Sequence, residues 1–334
     1  MRFGYSERCL AHDTGERHPE NPDRLRAIRR GLAKRHGVEY AEADPATRDE
    51  VAAVHDAEYV DEFEAFVDDG GGSWDPDTVA SEGTWDAALT AAGLAQWAAR
   101  SALDGADGRD TPFALGRPPG HHAVTDDAMG FCFFNNAAIA AQTVLDEGAA
   151  DRVAIFDWDV HHGNGTQDVF YDGGDVLYSS IHEDGLYPDT GDLDEIGRDD
   201  GEGTTVNLPL AAGAGDADYR YAIDEAIGPA IDRFDPDLLI VSAGFDAHRH
   251  DPISRMRVSS EGYAMMTDRI RSVADDADAV EAYVLEGGYG LDTLAEGVSM
   301  VHETYDGRTP VTDDEEPDAK TESLVSDLRE LLDL

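Results

Sequence analysis

Carboxylates and imidazoles suited to metal binding lie close together directly after an apolar stretch of the chain. Residues 153–156 have the apolar pattern of a buried strand, and Asp-Trp-Asp-Val-His-His-Gly-Asn-Gly follows at once. Alternate side chains of an extended backbone point to the same side, so Asp159 and His161 can converge on one ion while Asp157 supports them. The alternative is a solvated polar loop, since the chain is rich in aspartate.

A second apolar stretch, residues 238–243, is followed by small residues and then by a third candidate ligand, Asp246. Two carboxylates and one imidazole suit a catalytic Zn²⁺ site that keeps a position open for water, whereas structural zinc sites usually use four cysteine or histidine ligands. The two cysteines, Cys9 and Cys132, cannot supply such a set. The same ligands also accommodate Fe²⁺, so the residue types leave the metal open.

Two adjacent histidines offer acid–base and electrostatic chemistry. A turn containing prolines and a glycine precedes His121 and His122, and each imidazole needs its own hydrogen-bond partner. Asp157 and Asn164 are the candidate partners. An anionic partner raises a histidine's pKa, whereas a neutral amide leaves it near the reference of about 6.5. A purely structural role for the pair is the alternative.

A third apolar stretch runs into Glu-Gly-Gly-Tyr-Gly, where the glycines allow Tyr289 to approach a ligand closely. Its phenol could donate a hydrogen bond to a metal-bound carbonyl. A tyrosine that simply packs in a turn or in the core is the alternative.

Several motifs, in this order, resemble the zinc-dependent histone deacetylase superfamily, most closely its class II-like and bacterial acetylpolyamine amidohydrolase branches. The resemblance begins at residues 18–25 and 55–60, continues through 117–136 and 157–167, and closes at 288–289. It covers most of the chain except the last few tens of residues. It implies an arginase/deacetylase-like fold and hydrolysis of an acetyl amide.

The resemblance also implies roles for individual residues. It identifies Asp159, His161 and Asp246 as metal ligands. It identifies His121 and His122 as the tandem active-site histidines, with Asp157 and Asn164 as their partners, and Tyr289 as the group that polarises the acetyl carbonyl. Phe131 and Tyr187 would form the tunnel walls, and Asp77 or Asp75 would be the rim acid that binds the substrate. It further implies a structural K⁺ at Asp157, Ser180 and the carbonyls of Asp159 and His161. The family often has phenylalanine in place of Tyr187, so the acyl preference stays open.

Three functions remain open from the sequence. The first is deacetylation of acetyl-lysine in proteins, and the second is deacetylation of an acetylated polyamine or another small amine. The third is a catalytically silent module that binds acylated lysine, which the presence of every catalytic residue type disfavours. The sequence does not fix the oligomeric state.

The order of the predicted elements indicates one α/β domain with a parallel sheet flanked by helices. Binding sites in such sheets lie at the carboxyl ends of the strands, where the motifs fall. We predict a catalytic domain over residues 1–310, then an acidic linker and a short helix over 311–334. Strands are predicted at 153–156, 176–181, 238–243 and 282–286, and helices at 22–35, 86–103, 135–146, 218–233 and 260–274.

Charge is the other strong signal. Aspartate and glutamate number 72 against 25 lysines and arginines, which gives a net charge of −47. Concentrated salt screens such self-repulsion, because the screening length shortens to about 3 Å at 1 M. We therefore predict a halophile's cytoplasmic protein. Selection for a basic partner, such as a polyamine or a lysine-rich tail, is the alternative. Direct nucleic-acid binding is disfavoured because it requires a basic surface.

No apolar run approaches the roughly 20 residues that span a bilayer, and the amino terminus lacks an apolar signal core. We therefore expect no membrane association. Cys9 and Cys132 are too few for a disulfide framework and are expected to stay reduced.

Overall fold

The computed structural model describes residues 1–311 and 315–334. Its strands are β1 (Arg2–Gly4), β2 (Glu39–Ala41), β3 (Gly72–Ser73), β4 (Val79–Ala80), β5 (Pro112–Ala114), β6 (Val153–Asp157), β7 (Val176–Glu183), β8 (Thr205–Leu210), β9 (Leu238–Ala243) and β10 (Val280–Leu285). Its α-helices are α1 (Asp23–Leu32), α2 (Arg48–Val51), α3 (Ala57–Asp68), α4 (Thr84–Leu103), α5 (Asn136–Asp146), α6 (Asn164–Phe170), α7 (Asp216–Ala222), α8 (Gly228–Phe234), α9 (Ser260–Asp276), α10 (Leu291–Tyr305) and α11 (Ala319–Leu332).

Eight strands form one parallel sheet in the order β2-β1-β5-β10-β9-β6-β7-β8, and β3 and β4 form a separate antiparallel pair. The central strands β6, β7 and β9 are buried along their whole length. Parallel strands covered on both faces are nearly continuous in aliphatic residues, which explains why the sequence shows them so clearly. The predicted fold class, a single α/β domain with a parallel sheet flanked by helices, is confirmed.

Helices pack on this sheet through small apolar side chains. The long helix α4 contacts β5, β10 and α5, and α9 contacts both β10 and α10. Alanines form much of the buried side of α4. Both cysteines are buried as free thiols. In the described ranges, 1–311 and 315–334, no helix is both long and apolar enough to cross a membrane.

Register aligns the ends of the strands that carry the chemical motifs. Asp157, at the end of β6, pairs with Ser242 of β9, and Leu285, at the end of β10, pairs with Ala243. Since β6, β9 and β10 are neighbours, the loops that follow them start side by side at one edge of the sheet. That edge is where open α/β sheets place their binding sites.

The predicted elements differ from the structure mainly at their ends. Helix α1 ends at Leu32 rather than at 35, because the next residues form a tight turn in which Lys34 N–H donates to the carbonyl of Gly31. The helix predicted over 218–233 is divided into α7, a π-helical turn at Ile223–Ile227, and α8.

The carboxyl-terminal segment begins with the predicted acidic linker, part of which, at 312–314, lies outside the described residues. The predicted final helix is α11, which packs beside β8 and α7. Thr321 Oγ1 donates to Asp218 Oδ1 at 2.7 Å and fixes the start of α11 to α7. The division of the chain at residue 310 stays a prediction.

Candidate active site

The three predicted metal ligands lie together at the carboxyl edge of the sheet. Asp159 and His161 follow β6, and Asp246 follows β9. One ligand atom of each residue lies within 4.8 Å of the other two. His161 Nδ1 is 3.0 Å from Asp159 Oδ1 and 3.4 Å from Asp246 Oδ2. The structure therefore brings this predicted set into one cluster.

Two features suit this cluster to a cation: a carboxylate oxygen with free electron pairs, and neighbouring glycines whose missing side chains leave the carboxylates room. Asp246 Oδ1 accepts the Val160 N–H at 2.9 Å, whereas the buried Oδ2 has no hydrogen-bond partner among residues 1–311 and 315–334. A buried carboxylate oxygen without a donor is costly unless an ion compensates it. Gly244 and Gly287 line the cluster, and a Cβ at either position would collide with these carboxylates. Two carboxylates and one imidazole are also the chemistry of a catalytic zinc site.

The electrostatics of the cluster favour a positive charge. Burial opposes protonation of His161, but its hydrogen bond to Asp159 and the charge of Asp246 raise its pKa to about 10. Burial and the neighbouring charge of Asp159 raise the pKa of Asp246 above its usual value. A divalent cation would relieve this concentration of negative charge while His161 binds it as a neutral imidazole.

His121 is paired with a carboxylate, as predicted. Its Nδ1 lies 2.9 Å from Asp157 Oδ2, and both side chains are buried. Burial works against the charged ring, yet the carboxylates of Asp159 and Asp157 raise the pKa of His121 to about 10. The geometry therefore holds His121 as a cation.

His122 is paired with an amide, also as predicted, but its pKa is lower than expected. Its Nδ1 lies 2.8 Å from Asn164 Oδ1. Burial, followed by the charges of His121 and His161, lowers the pKa of His122 well below its usual value rather than leaving it near 6.5. A neutral ring that donates from Nδ1 has its lone pair on Nε2. His122 is thus suited to accept a proton.

Tyr289 lies in the turn between β10 and α10, and several groups fix its position. The guanidinium of Arg24 lies 5.1 Å from the centre of the phenol ring. The Tyr289 N–H donates to Asp251 Oδ2 at 2.7 Å. Burial raises the pKa of the phenol well above its usual value, so the hydroxyl keeps its proton and can donate it in a hydrogen bond.

Phe131 and Tyr187 approach the catalytic groups from two directions. The ring of Tyr187 meets that of His122 edge to face at 5.1 Å, and the ring of Phe131 meets that of Tyr289 in the same way at 5.7 Å. Tyr187 is 38% exposed, so its outer part reaches solvent. Phe131 has a left-handed backbone with φ of 70°, which is unusual for a bulky residue.

The two candidate rim acids are used differently. Asp75 is half-buried and engaged within its own loop, where it accepts the N–H of Asp77 at 2.9 Å and the hydroxyl of Thr78 at 3.0 Å. Asp77 is exposed as a residue, although its carboxyl group is partly desolvated, and this desolvation together with the neighbouring Asp75 raises its pKa. Of the pair, Asp77 is therefore the carboxylate better placed to face a substrate.

The residues predicted for a monovalent cation are also neighbours. Asp157 of β6 pairs in register with Ser180 of β7, and both are fully buried. Asp159 N–H donates to Asp157 Oδ1 at 3.0 Å, and His161 N–H donates to Asp159 Oδ1 at 2.9 Å. The bound K⁺ itself stays a prediction.

Comparison with known proteins matches residues 18–305 to the Histone deacetylase domain. The chain belongs to the histone deacetylase family. It is 36% identical over 336 residues to the histone deacetylase-like amidohydrolase of Pseudomonas aeruginosa, with 93% of this chain and 87% of that relative covered. It is 40% identical over 294 residues to a probable deacetylase of Archaeoglobus fulgidus, covering 86% and 81% of the two chains.

A solved structure gives the same result for the fold. The crystal structure titled as that of the HDA15 HD domain superposes with a TM-score of 0.90 and 38% identity, over 99% of this chain and 93% of that one. The predicted family and enzyme class, a hydrolase acting on amides, are confirmed. Histone deacetylase family members are generally zinc-dependent and act on acetylated substrates.

One carboxylate of this histone deacetylase family site was not predicted from the sequence. Glu286, directly after β10, is fully buried, and its Oε2 accepts the N–H groups of Gly120 at 2.7 Å and His121 at 3.2 Å. It thereby fixes the turn that presents the two histidines. The signal available was its place directly before the Gly-Gly-Tyr sequence.

Two buried arginines were also missed as supports of the site. Arg117 donates to both carboxylate oxygens of Glu20, at 2.6 and 2.7 Å. Arg24 donates to the same carboxylate at 3.2 Å and to the carbonyl of Gly288 at 2.8 Å. This ion cluster ties the histidine turn to the tyrosine turn. The family motif at 18–25 contains two of its members but indicates no role for them.

Proposed function

We propose that the chain is a zinc-dependent deacetylase that hydrolyses the acetyl amide of acetyl-lysine in proteins. The observation that carries the proposal is the placement of a neutral histidine, His122, and a partly buried, protonated Tyr289 around the Asp159–His161–Asp246 cluster. Those are a proton acceptor and a hydrogen-bond donor close to a metal site: the ring of His122 lies 5.8 Å from that of His161, and the charges of Asp246 and Asp159 act on the Tyr289 phenol. A silent binding module would need neither.

Asp159, His161 and Asp246 would hold the metal, which we propose to be Zn²⁺, with Fe²⁺ as the alternative that the same ligands accept. When bound, Zn²⁺ polarises a carbonyl and lowers the pKa of water, so that a nucleophile is available near neutral pH. We also propose a structural K⁺ at Asp157, Ser180 and the carbonyl oxygens of Asp159 and His161.

The chain's own residues move the protons. His122 Nε2 takes a proton from the attacking water and then gives it to the leaving amine. His121, kept positive by Asp157, stabilises the negative charge that develops on the acetyl oxygen. The phenol of Tyr289 donates a hydrogen bond to the same oxygen. Because this charge exists mainly in the transition state, these groups raise turnover more than substrate affinity.

The approach to the site supports a long, narrow substrate. Phe131 and Tyr187 flank the catalytic groups with aromatic rings, which suits the apolar stem of an acetyl-lysine side chain. Asp77 would then bind the substrate backbone at the rim. The same exposed carboxylate, in a chain of net charge −47, also suits a cationic amine, so deacetylation of an acetylated polyamine is the second candidate. We further propose a cytoplasmic setting in a halophile.

The test compares kcat/KM for an acetyl-lysine peptide and an acetylated polyamine, using zinc-loaded protein in concentrated KCl. We expect the peptide to be preferred. A preference for the polyamine would assign the second function instead.

Tyr289→Phe should lower kcat by about a hundredfold or more with little change in KM, which is the scale of losing one oxyanion donor. Tyr40→Phe, on the edge strand β2 and 41% exposed, is the matched control. Near-normal turnover in Tyr289→Phe would remove the phenol from the mechanism.

A further inference from the structure

A buried carboxylate that has no role in the proposed reaction accepts hydrogen bonds from the backbone around the catalytic tyrosine. Asp251 follows β9, five positions after Asp246 in the same loop, and is 7% exposed. Its Oδ2 accepts two hydrogen bonds, from the N–H of Tyr289 at 2.7 Å and from the N–H of Gly290 at 2.9 Å. Its Oδ1 accepts the N–H of Ile253 at 3.2 Å. One side chain thus joins the loop after β9 to the turn after β10.

The loop that carries Asp251 is itself fixed on both sides. The hydroxyl of Ser254 donates to the carbonyl of Asp246 at 2.5 Å. Arg255 donates to the buried carboxylate of Glu183 at the end of β7, from its backbone N–H at 2.9 Å and from Nε at 2.5 Å. The loop from which Asp251 binds the Tyr289 backbone therefore also contains a candidate metal ligand, Asp246.

We propose that Asp251 is a positioning residue that sets the distance between the Tyr289 phenol and the metal cluster. The inference rests on the function proposed above. Two backbone donors converge on one oxygen, and a side chain without an acceptor would leave both amides unsatisfied. The turn would then shift toward other acceptors, and the phenol would move with it. A shift of about 1 Å in a catalytic group can cost about a hundredfold in rate.

Side-chain chemistry predicts a graded response. Asp251→Ala removes the acceptor and should lower kcat by about 10- to 100-fold with KM within about threefold of wild type. Asp251→Asn keeps one carbonyl oxygen that can accept both amides and should recover most of that loss. If Asp251→Ala does not fold, Asp251→Ser, whose hydroxyl is too short to reach both amides, takes its place with the same expectation.

A double-mutant cycle distinguishes positioning from general structural damage. If Asp251 acts through the phenol, Asp251→Ala should cost less than about threefold once Tyr289→Phe has removed the hydroxyl. Glu286→Ala, which instead disturbs the histidine turn, should keep its own full loss in the Tyr289→Phe background. Full, multiplicative losses for Asp251→Ala in both backgrounds would overturn the proposal. Unchanged kcat in Asp251→Ala would also overturn it if Tyr289→Phe lowers kcat as expected.

A crystal structure of Asp251→Ala separates the two hypotheses. A phenol oxygen displaced by about 1 Å or more, with the three metal ligands unmoved, would support the positioning role even if the substrate class is wrong. An unmoved phenol would overturn it. By contrast, normal kcat in Tyr289→Phe together with a displaced phenol in Asp251→Ala would leave the positioning role standing and refute the proposed chemistry.

Discussion

Adjacent histidines of the same type take opposite charge states because their surroundings differ. His121 faces carboxylates that raise its pKa to about 10, whereas burial and two neighbouring imidazoles lower the pKa of His122. One ring can therefore supply positive charge while the other accepts a proton. The sequence predicted both partners, but it could not predict that burial would dominate at His122.

The metal cluster makes a prediction at the residue scale. Adding Zn²⁺ to metal-free wild type should raise its Tm, since a ligand that binds only the folded state at about 100 times its Kd stabilises it by about 2.7 kcal/mol. Asp246→Asn should lose most of this rise because a neutral amide oxygen replaces the carboxylate. Asp77→Asn, at the rim, is the control and should keep it. An equal zinc-dependent rise in Asp246→Asn, measured by calorimetry, would contradict the assignment.

Residues recognised from sequence and residues missed differ in the kind of contact they make. Asp159 and His161 are close in the chain, and Tyr289 stands among glycines, so their patterns are visible. Glu286 and Asp251 act by accepting backbone N–H groups 165 and 38 positions away. Any residue except proline can donate such an N–H, so the partner position shows no distinctive residue type. The supports that act through backbone N–H groups were therefore hidden, whereas the reactive groups and the side-chain partners of the histidines were not.

At the scale of elements, predictability followed length and burial. The central strands β6, β7 and β9 are long, aliphatic and buried on both faces, so their positions were predicted closely. Strands β1 and β5 have three residues each, too few for any periodicity to appear. Their place in the sheet depends on pairing with β10 and with each other, which is a property of the whole fold.

Strand β10 also supports a pH prediction. Burial raises the pKa of Glu281 from its ordinary 4.5 to about 7, although its hydrogen bond from Tyr305 and the nearby Arg271 act in the opposite direction. A carboxyl with a raised pKa stabilises the fold while it is protonated, so this contribution is present below about pH 4.5 and is lost as pH rises through about 7.

Glu281→Gln should therefore be more stable than wild type at pH 8, by roughly 1–2 kcal/mol after allowance for its partial exposure. The advantage should shrink toward pH 5, where the wild-type carboxyl is protonated. Urea unfolding at the two pH values measures it, with the exposed Glu39→Gln on β2 as the control. A pH-independent difference between variant and wild type would refute the titration of Glu281.

At the scale of the whole molecule, charge is the dominant property. With 72 acidic and 25 basic residues, the chain repels itself strongly, and salt screens this repulsion more completely as its concentration rises. Ion pairs such as that of Arg100 with Glu147 at 2.7 Å, on the surface, offset little of it. This property was predicted from composition alone, because net charge does not depend on the fold.

The Tm should therefore rise by about 10 °C or more between about 0.1 M and 3 M KCl, with the steepest change at the low end, where the screening length falls fastest. Differential scanning calorimetry across this series is the measurement. Sucrose, which stabilises compact states without screening charge, is the control and should not reproduce the steep initial rise. A Tm that is flat across the KCl series would contradict the proposal of a halophilic setting.

Phe131 shows where stability and activity oppose each other. Its left-handed backbone, with φ of 70°, costs on the order of 1 kcal/mol for a residue that has a Cβ. Glycine would adopt that backbone without strain, but it would delete the ring that meets Tyr289. The chain therefore keeps a strained backbone at this position, and an aromatic ring rather than open space borders Tyr289.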